Sequence, residues 1–485
     1  MRLHDTRQRE VVPIVPARPG LLTIYACGPT VYRDAHVGNM RTFLLTDVIR
    51  RVAELEGSRV VLVQNITDVG HMADDTGLGQ GAGGEAGADT AADDAGEGND
   101  GDEDKVLRQA AAEGRGALEV ARHYEALFHA DLAALGIRPA DHYPRASESI
   151  DLMIDLIARL MDAGHAYVGT DGTVYFDARS YPEYGALSGN RLEDLRPGHR
   201  MTAEDPAKRF HADWALWKRA GETRTQLVWD TPWGRGFPGW HTECSAMSLA
   251  LLGDTIDVHT GGIDLRFPHH EDERAQSNCA TGHEVVRHWV HGEHLLFEGR
   301  KMSKSAGNVV LVRDLVERGL DPLALRLAFL QSRYRTQVNL TWDGLEGAHT
   351  TLRRWRERVA QWAQEPSAAM PADHRARFEQ AVSDDLDMPR ALQVLRDVER
   401  DPDIADGARM EFFLHADRVL GLDLARDIGR VTRVEAPSEV VALAEERAQA
   451  RAAKDWAASD RLRDAIAALG WTVTDTADGP RLEPR

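Results

Sequence analysis

At 485 residues and 42% hydrophobic content, the chain is too long for a single core and is expected to fold as about two to four domains. Its formal charge of −20 would count against a nucleic-acid partner, but eleven acids and no base lie between Asp74 and Asp104, so the rest carries only −9. A charged start, "MRLHDTRQREVV", the lack of any run of about eighteen apolar residues, and three scattered cysteines (Cys27, Cys244, Cys279) argue against a secretory leader, a membrane span and a disulfide framework, and point to the cytoplasm.

"GLLTIYACG" (20–28) has the form of an apolar strand ending in glycine, and "RTFLLTDVIRRVAEL" places Phe43, Leu44, Val48, Val52 and Leu55 at helical spacing. "SRVVLVQNITDV" (58–69) supplies a second buried strand and completes a βαβ unit of parallel-sheet type. In such sheets anions bind beyond the carboxyl ends of the strands, at the N-terminus of the helix that follows. The Gly-, Ala- and acid-rich stretch 70–104 is expected to be a disordered surface loop. Its spacing does not fit a D-x-D-x-D-G-x₅-E calcium loop.

A helical pattern covers 105–135, a further apolar helix starts at Ile150, and "AYVGTDGTVYFDA" predicts a glycine-turned hairpin, so 121–235 form an inserted α+β segment. Strand and glycine signals return in "DTIDVHTGGIDLRFPHHEDERAQSNCA", with a strand over 255–259 and a helix from about His269, and the α/β sheet resumes over 236–315. Residues 316–430 are almost wholly helical and fit a bundle. Residues 431–485 contain two helices and a small hairpin, a separable module.

Two thiols, an imidazole and a carboxylate make a four-ligand zinc set, and Cys27, Cys244, His269 and Glu273 supply one, with His269 and Glu273 at i and i+4 on one helical face. Each also has an ordinary alternative: a strand cysteine belongs to the core, and a His/Glu pair at this spacing forms a surface ion pair. "AHVGN" sets His36, Gly38 and Asn39 at the first turn of a helix, where donors and bare N–H groups face an anion, or where Asn39 is simply the helix cap. "KMSKS" (301–305) offers Lys301 and Lys304 to a polyphosphate, or to solvent.

An H-x-G-(H/N) element in the first βα loop with a late KMSKS resembles the class I aminoacyl-tRNA synthetases. "YACGPTVY", "AHVGNMRT", "QNITDV", "GWHTECSAM", "GGIDLRFPHHEDERAQS", "KMSKSAGN", "DDLDMPRAL" and "ARAAKDWAASDRLRD" are similar, in order, to blocks of the cysteinyl-tRNA synthetase family. The resemblance implies an α/β fold. It consists of a split Rossmann-like catalytic domain (first half 1–120, second half 236–315), a helical bundle and a small C-terminal anticodon-binding module. It implies that Cys27, Cys244, His269 and Glu273 hold Zn²⁺, which selects the substrate thiolate over a hydroxyl without an editing site. By the same resemblance Thr30, Thr42 and Thr67 line the aminoacyl-adenylate pocket, Trp240 walls the amino acid, and Gly262 and Asp264 bind adenosine. His36 and Asn39 meet the phosphates of ATP, which arrives with Mg²⁺, and Lys301 and Lys304 clamp the leaving pyrophosphate. The implied partners are L-cysteine, ATP and tRNA(Cys), and the implied state is a cytoplasmic monomer.

Two departures stand out: Asn39 where many class I members carry a second histidine, and "DVGHM" followed by the acidic stretch where the family has a short charged turn. The second leaves the local path near Thr67 open. The rival functions are the related cysteine ligase of mycothiol synthesis and a non-catalytic RNA-binding paralogue. The continuation from Val440 through Trp471 favours a tRNA ligase over the first, with Trp456, Trp471, Arg451 and Arg463 able either to read RNA or to serve as core tryptophans and solvated arginines.

Overall fold

Apolar strands flanked by capped helices build the frame of the molecule. The computed structural model describes residues 1–72, 104–195, 206–302, 308–430, 436–476 and 479–484; Lys304 and residues 73–103 of the stretch expected to be a disordered loop lie outside them, while the ends of that stretch, Gly70, His71, Met72 and Asp104, are buried and paired, contrary to the expectation. Two compact units are present, Met1–Arg426 and Asp427–Arg485.

The larger unit begins with a hairpin, β1 (Arg2–Asp5) and β2 (Glu10–Pro13), followed by β3 (Leu21–Ala26), whose last five residues are buried. The helix α1 (Val37–Leu55) starts at a reciprocal cap: Asn39 N donates to His36 Nδ1, and His36 N donates to Asn39 Oδ1. β4 (Arg59–Gln64) then lies parallel to β3. Gly28, just past β3, is required by this pairing, since a Cβ there would fall 1.6 Å from Asn65 O.

The helical pattern over 105–135 is divided into α2 (Lys105–Glu113) and α3 (Ala117–Ala134), because Gly114 closes the first in a left-handed conformation (φ +64°). After α4 (Ile150–Asp162) come β5 (Ala166–Val168), β6 (Val174–Phe176), β7 (Trp214–Arg219), β8 (Trp229–Thr231) and β9 (Gly234–Pro238), an antiparallel sheet ordered β5-β6-β7-β9-β8. The first of its hairpins is the one expected at Gly172.

α5 (Trp240–Leu252), β10 (Ile256–Gly262), α6 (His269–Thr281) and β11 (Val286–Gly292) return the chain to the parallel sheet, which is ordered β11-β10-β3-β4. Its two halves are thus separated in sequence by the inserted segment, the split α/β architecture expected. β12 (Leu295–Phe297), β13 (Arg300–Lys301), α7 (Val312–Glu317), α8 (Leu323–Leu330) and β14 (Val338–Leu340) lead to the bundle helices α9 (Trp342–Trp362), α10 (Ala372–Ser383), α11 (Met388–Arg400) and α12 (Asp406–Leu420). The bundle core holds Trp355, Phe378, Phe412 and Phe413, all fully buried.

The smaller unit packs α13 (Ser438–Ala452) and α14 (Trp456–Ala468) on the hairpin of β15 (Trp471–Thr476) and β16 (Gly479–Pro484). Val440, Ala444, Ile466, Trp471 and Val473 form its core. Among the described residues no helix is long and apolar enough to cross a membrane.

Candidate active site

α6 departs from the usual amphipathic stripe: every residue from His269 to Asn278 is buried, although most are polar. Buried polar groups must be paired, and here they pair with one another and with neighbouring elements. Glu271 accepts from Ser188 N at 2.7 Å, Asp272 from Tyr184 OH at 2.5 Å, and Arg274 donates to Glu183 and Glu284, each at 2.7 Å. A helix held this way presents its remaining groups to one point.

At that point Cys27 from the end of β3, Cys244 from α5, and His269 and Glu273 from α6 bring one ligand atom each within 4.8 Å of one another, all buried. The Cys27 and Cys244 sulfurs are 3.8 Å apart, and His269 Nε2 is 2.9 Å from Glu273 Oε1. His259 and His270 complete a second grouping with Cys27 and Glu273, their Nε2 atoms 3.4 and 3.2 Å from Cys27 Sγ. Burial, then Cys244 and Glu273, push the Cys27 thiol up. Burial would lower His269, but Glu273 and Cys244 raise it to about 10. Burial holds His259 down at about 4 and His270 well below its usual range. The cluster therefore draws positive charge to its Cys244–His269–Glu273 side, as a cation site does.

Beside it, Trp240 at the start of α5 is sandwiched between His269, 4.1 Å away, and His71, 4.0 Å away. Thr30 and Thr67 are joined by a parallel bridge, with Val31 N donating to Thr67 O and Thr67 N to Pro29 O. The path near Thr67, left open by the sequence, is thus anchored to the Cys27–His36 loop. Thr67 donates its hydroxyl to Glu243 Oε2 at 2.8 Å and accepts from Asn65 Nδ2.

The N-terminus of α1 lies against Met302 of KMSKS and Val310 beyond it. A Cβ on Gly38 would stand 2.9 Å from the His36 ring and 3.0 Å from Met302 Cε, and Val37 N donates to Val310 O. Lys301 is half-buried, and its carbonyl accepts from Asn308 Nδ2 at 2.8 Å across the segment. His36, not Asn39, is the cap of α1; Asn39 is exposed at the third position of the helix. Because His36 Nδ1 accepts the Asn39 N–H, the neutral ring carries its proton on Nε2. Burial and the charge of Arg33 hold the ring neutral, with a pKa of about 4. Gly262 ends β10 close to Thr42 and Asp264: a Cβ there would meet the Asp264 carboxylate at 2.3 Å and Thr42 Oγ1 at 3.6 Å. Asp264 itself is exposed.

In the smaller unit the two tryptophans part company. Trp471 belongs to the core, whereas Trp456 is 57% exposed with the Arg451 guanidinium 5.7 Å from its ring centre. Arg463 is exposed and paired with Asp460.

Sequence patterns did not single out His71, Glu243, His259 or His270. The doublet in "HHEDE" and the histidine in "DVHTGG" are visible signals, but only the pairing of β10 with β3 and the placing of α6 beside it turn them toward Cys27.

Residues 13–75 and 100–350 match the family model described as tRNA synthetases class I (C) catalytic domain, and residues 433–480 match cysteinyl-tRNA ligase anticodon binding domain. The cysteine–tRNA ligase of Opitutus terrae is 41% identical over 100% of this chain and 99% of its own length. A cysteine–tRNA ligase of Thermus thermophilus is 41% identical over 99% and 98%. Among solved structures, Mycobacterium tuberculosis methionyl-tRNA synthetase bound by methionyl-adenylate aligns with a TM-score of 0.53 at 16% identity, over 84% of this chain and 92% of that one. An Agrobacterium radiobacter LeuRS–tRNA–LeuAMS ternary complex aligns with a TM-score of 0.58 at 9% identity, over 87% and 86%. At these identities the two structures speak to the fold alone.

Proposed function

This chain belongs to the cysteinyl-tRNA synthetase family of class I aminoacyl-tRNA synthetases, the cysteine–tRNA ligases, and we propose how its residues divide the work of that reaction. The matched anticodon-binding domain favours tRNA over an amino sugar as acceptor.

The observation that carries the assignment is the buried convergence of Cys27, Cys244, His269 and Glu273. The donor set fits Zn²⁺. Two sulfurs 3.8 Å apart span the edge of a tetrahedron whose Zn–S arms are about 2.3 Å long. Of the two groupings, this one has both thiols and the imidazole raised to about 10, so a divalent cation would take over the role that a proton fills on His269. His259 and His270, held neutral, are then left to face Cys27 Sγ from outside the set. When bound, Zn²⁺ supplies a thiophilic centre for the sulfur of L-cysteine, which the harder hydroxyl of serine matches poorly.

The chain's own residues orient the rest of the substrates. Trp240 walls the amino acid, and Thr30, Thr42 and Thr67 line the pocket of the adenylate. The cysteine carboxylate is held to attack the α-phosphorus of ATP, giving cysteinyl-adenylate and pyrophosphate, with Mg²⁺ accompanying the nucleotide. His36 Nε2–H, the Asn39 side-chain amide and the positive end of the α1 dipole receive phosphate charge. Lys301 and Lys304 clamp the leaving pyrophosphate, and Asp264 beside Gly262 accepts from ribose hydroxyls. In the second step a hydroxyl of the terminal adenosine of tRNA(Cys) attacks the activated carbonyl, and AMP departs. Trp456 and Arg451 offer a stacking face to an RNA base. The three free cysteines suit a reducing compartment, so we take the protein to act in the cytoplasm.

The test is Cys27→Ser. Zinc content measured by metal analysis should fall, and the KM for cysteine in ATP–pyrophosphate exchange should rise, while ATP affinity stays near that of the parent. An equal collapse of ATP affinity would refute the division of labour.

A further inference from the structure

On the two sides of the acidic stretch, the chain closes on itself. Gly70 N donates to Asp104 Oδ2 at 2.9 Å, Lys105 N donates to His71 O at 3.2 Å, and Met72 pairs with Asp104 in an antiparallel bridge. Asp104 also accepts from Val106 N and from Arg224 Nη2, each at 2.9 Å. His71 and Lys105, on the two sides of this neck, are 8% and 7% exposed. Their side chains meet, with Lys105 Nζ 3.0 Å from His71 Nε2. His71 Nδ1 lies 2.6 Å from Thr30 Oγ1, and the ring lies on Trp240 with the two planes 7° apart.

These contacts fix a polarity. An ammonium only donates, so His71 Nε2 accepts, and the ring proton sits on Nδ1 and is donated to Thr30. Thr30 Oγ1 then accepts from behind, and its own proton is available to an acceptor oxygen in front. Thr67, across the backbone bridge, is set the opposite way, donating to Glu243.

We propose that His71 is a positioning residue for the amino-acid site: held by Lys105 across the neck, it makes Thr30 a hydrogen-bond donor to a carboxylate oxygen of L-cysteine and pins the Trp240 ring. The inference rests on the placement of Thr30 and Trp240 beside the amino acid in the function proposed above. It also gives the neck a task independent of whatever lies between its two sides: those few residues complete one wall of the pocket.

His71→Phe keeps a ring on Trp240 and removes both nitrogens, whereas His71→Asn keeps an N–H near the Nδ1 position and loses the ring. Cysteine-dependent ATP–pyrophosphate exchange is measured on the zinc-loaded full chain, with KM read separately for the two substrates and zinc content checked in each variant. H71F is expected to raise the cysteine KM about tenfold with ATP KM unchanged, and H71N to raise it less. In a Thr30→Val background the effect of H71F should vanish, because the hydroxyl through which His71 acts is gone. A cysteine KM within about twofold of the parent in H71F, or an equal rise in ATP KM, overturns the role of His71 while the pocket assignment stands, provided T30V alone raises the cysteine KM. T30V without effect on the cysteine KM overturns the pocket assignment and this inference with it. Should H71F lose its zinc or its thermal transition, the same cycle with His71→Gln, which keeps an acceptor for Lys105, decides between these outcomes.

Discussion

Asn39 closes the first turn of α1 and, in the function proposed above, receives phosphate, and a pair of substitutions can separate the two. Its side-chain oxygen accepts from His36 N at 3.1 Å, and its backbone N–H meets His36 Nδ1 at 3.2 Å, so it helps to close the first turn of α1. With the oxygen so committed, the amide N–H₂, on an exposed residue, is left for a phosphate. Asn39→Ala removes both contributions. Loss of the capping bond should cost about 1 kcal/mol of stability. Loss of a donor to a charged acceptor should cost a further 1.5–3 kcal/mol or so in the transition state, roughly 10- to 100-fold in the exchange rate. Asn39→Asp divides these effects. The carboxylate still accepts from His36 N and suits a helix N-terminus, so the thermal midpoint should hold or rise slightly. The same carboxylate repels phosphate, so exchange should fall at least as far as in N39A. Cysteine-dependent ATP–pyrophosphate exchange, paired with thermal unfolding, reads both. Exchange within about threefold of the parent in N39A, or full activity in N39D, would show that this residue is only a cap.

Arg326 is fully buried and donates to Asp47 Oδ2 on α1 and to the carbonyls of Leu420, Leu135 and Gly136, so Arg326→Met should lower the stability of the larger unit by on the order of 4 kcal/mol. A thermal midpoint shift of less than about a degree would show that the network is dispensable. Glu125 would be raised by burial, but His129, Arg145 and Arg122 depress it to about 2. Its stabilisation is therefore complete above the unfolded carboxylate pKa of about 4.3 and is lost as pH falls from there toward 2. Glu125→Gln should be less stable than the parent at pH 7, with the gap closing on acidification, as read from urea midpoints; a gap constant with pH would exclude the ionic origin. Trp456→Ala should raise the KM for tRNA in charging by about 5- to 100-fold while leaving exchange intact, and an unchanged tRNA KM would remove Trp456 from the interface.

Much of this architecture is legible in the sequence because local rules agree with the global fold there. β3, α1 and β4 announce themselves by apolar periodicity, and the break after β3 by Cys27-Gly28. The hairpin at Gly172 and the two helices of the smaller unit follow the same logic. α6 does not, since a helix buried on all sides yet polar cannot be recognised from hydropathy, and its partners Ser188 and Tyr184 lie more than eighty residues away in the chain. The four metal-ligand candidates are legible as a donor set of the right chemistry, and the family resemblance singles them out among 20 histidines and 78 acids. His259 and His270 could not be weighed, because their approach to Cys27 depends on the β10–β3 register, Thr260 opposite Ala26. His71 was hidden for a different reason: it borders the acidic stretch, whose composition marks the neighbourhood as dispensable, while its contacts run back into the core.

In the function proposed above, recognition and activation share the loop from Cys27 to His36. Its first residue faces the metal-type cluster and its last caps the helix proposed to receive phosphate, so any slack between them would separate the sulfur site from the α-phosphorus. The structure removes that slack by tying the loop at several points along its length. Gly28 N donates to Asn65 Oδ1, Thr30 and Val31 are joined to Thr67, Thr30 is held by His71, and Val37 N donates to Val310 O. In the proposed function, a cysteine held by its sulfur at one end of this loop would have its carboxylate directed along it, toward the nucleotide. Serine, lacking the sulfur contact, would forfeit that alignment as well as affinity. Part of the discrimination should therefore appear in kcat and not only in KM, because orientation is realised at the transition state. Steady-state exchange with serine at high concentration tests this directly: a kcat equal to that with cysteine would mean that the loop positions the carboxylate without help from the sulfur, and selection would rest on binding alone.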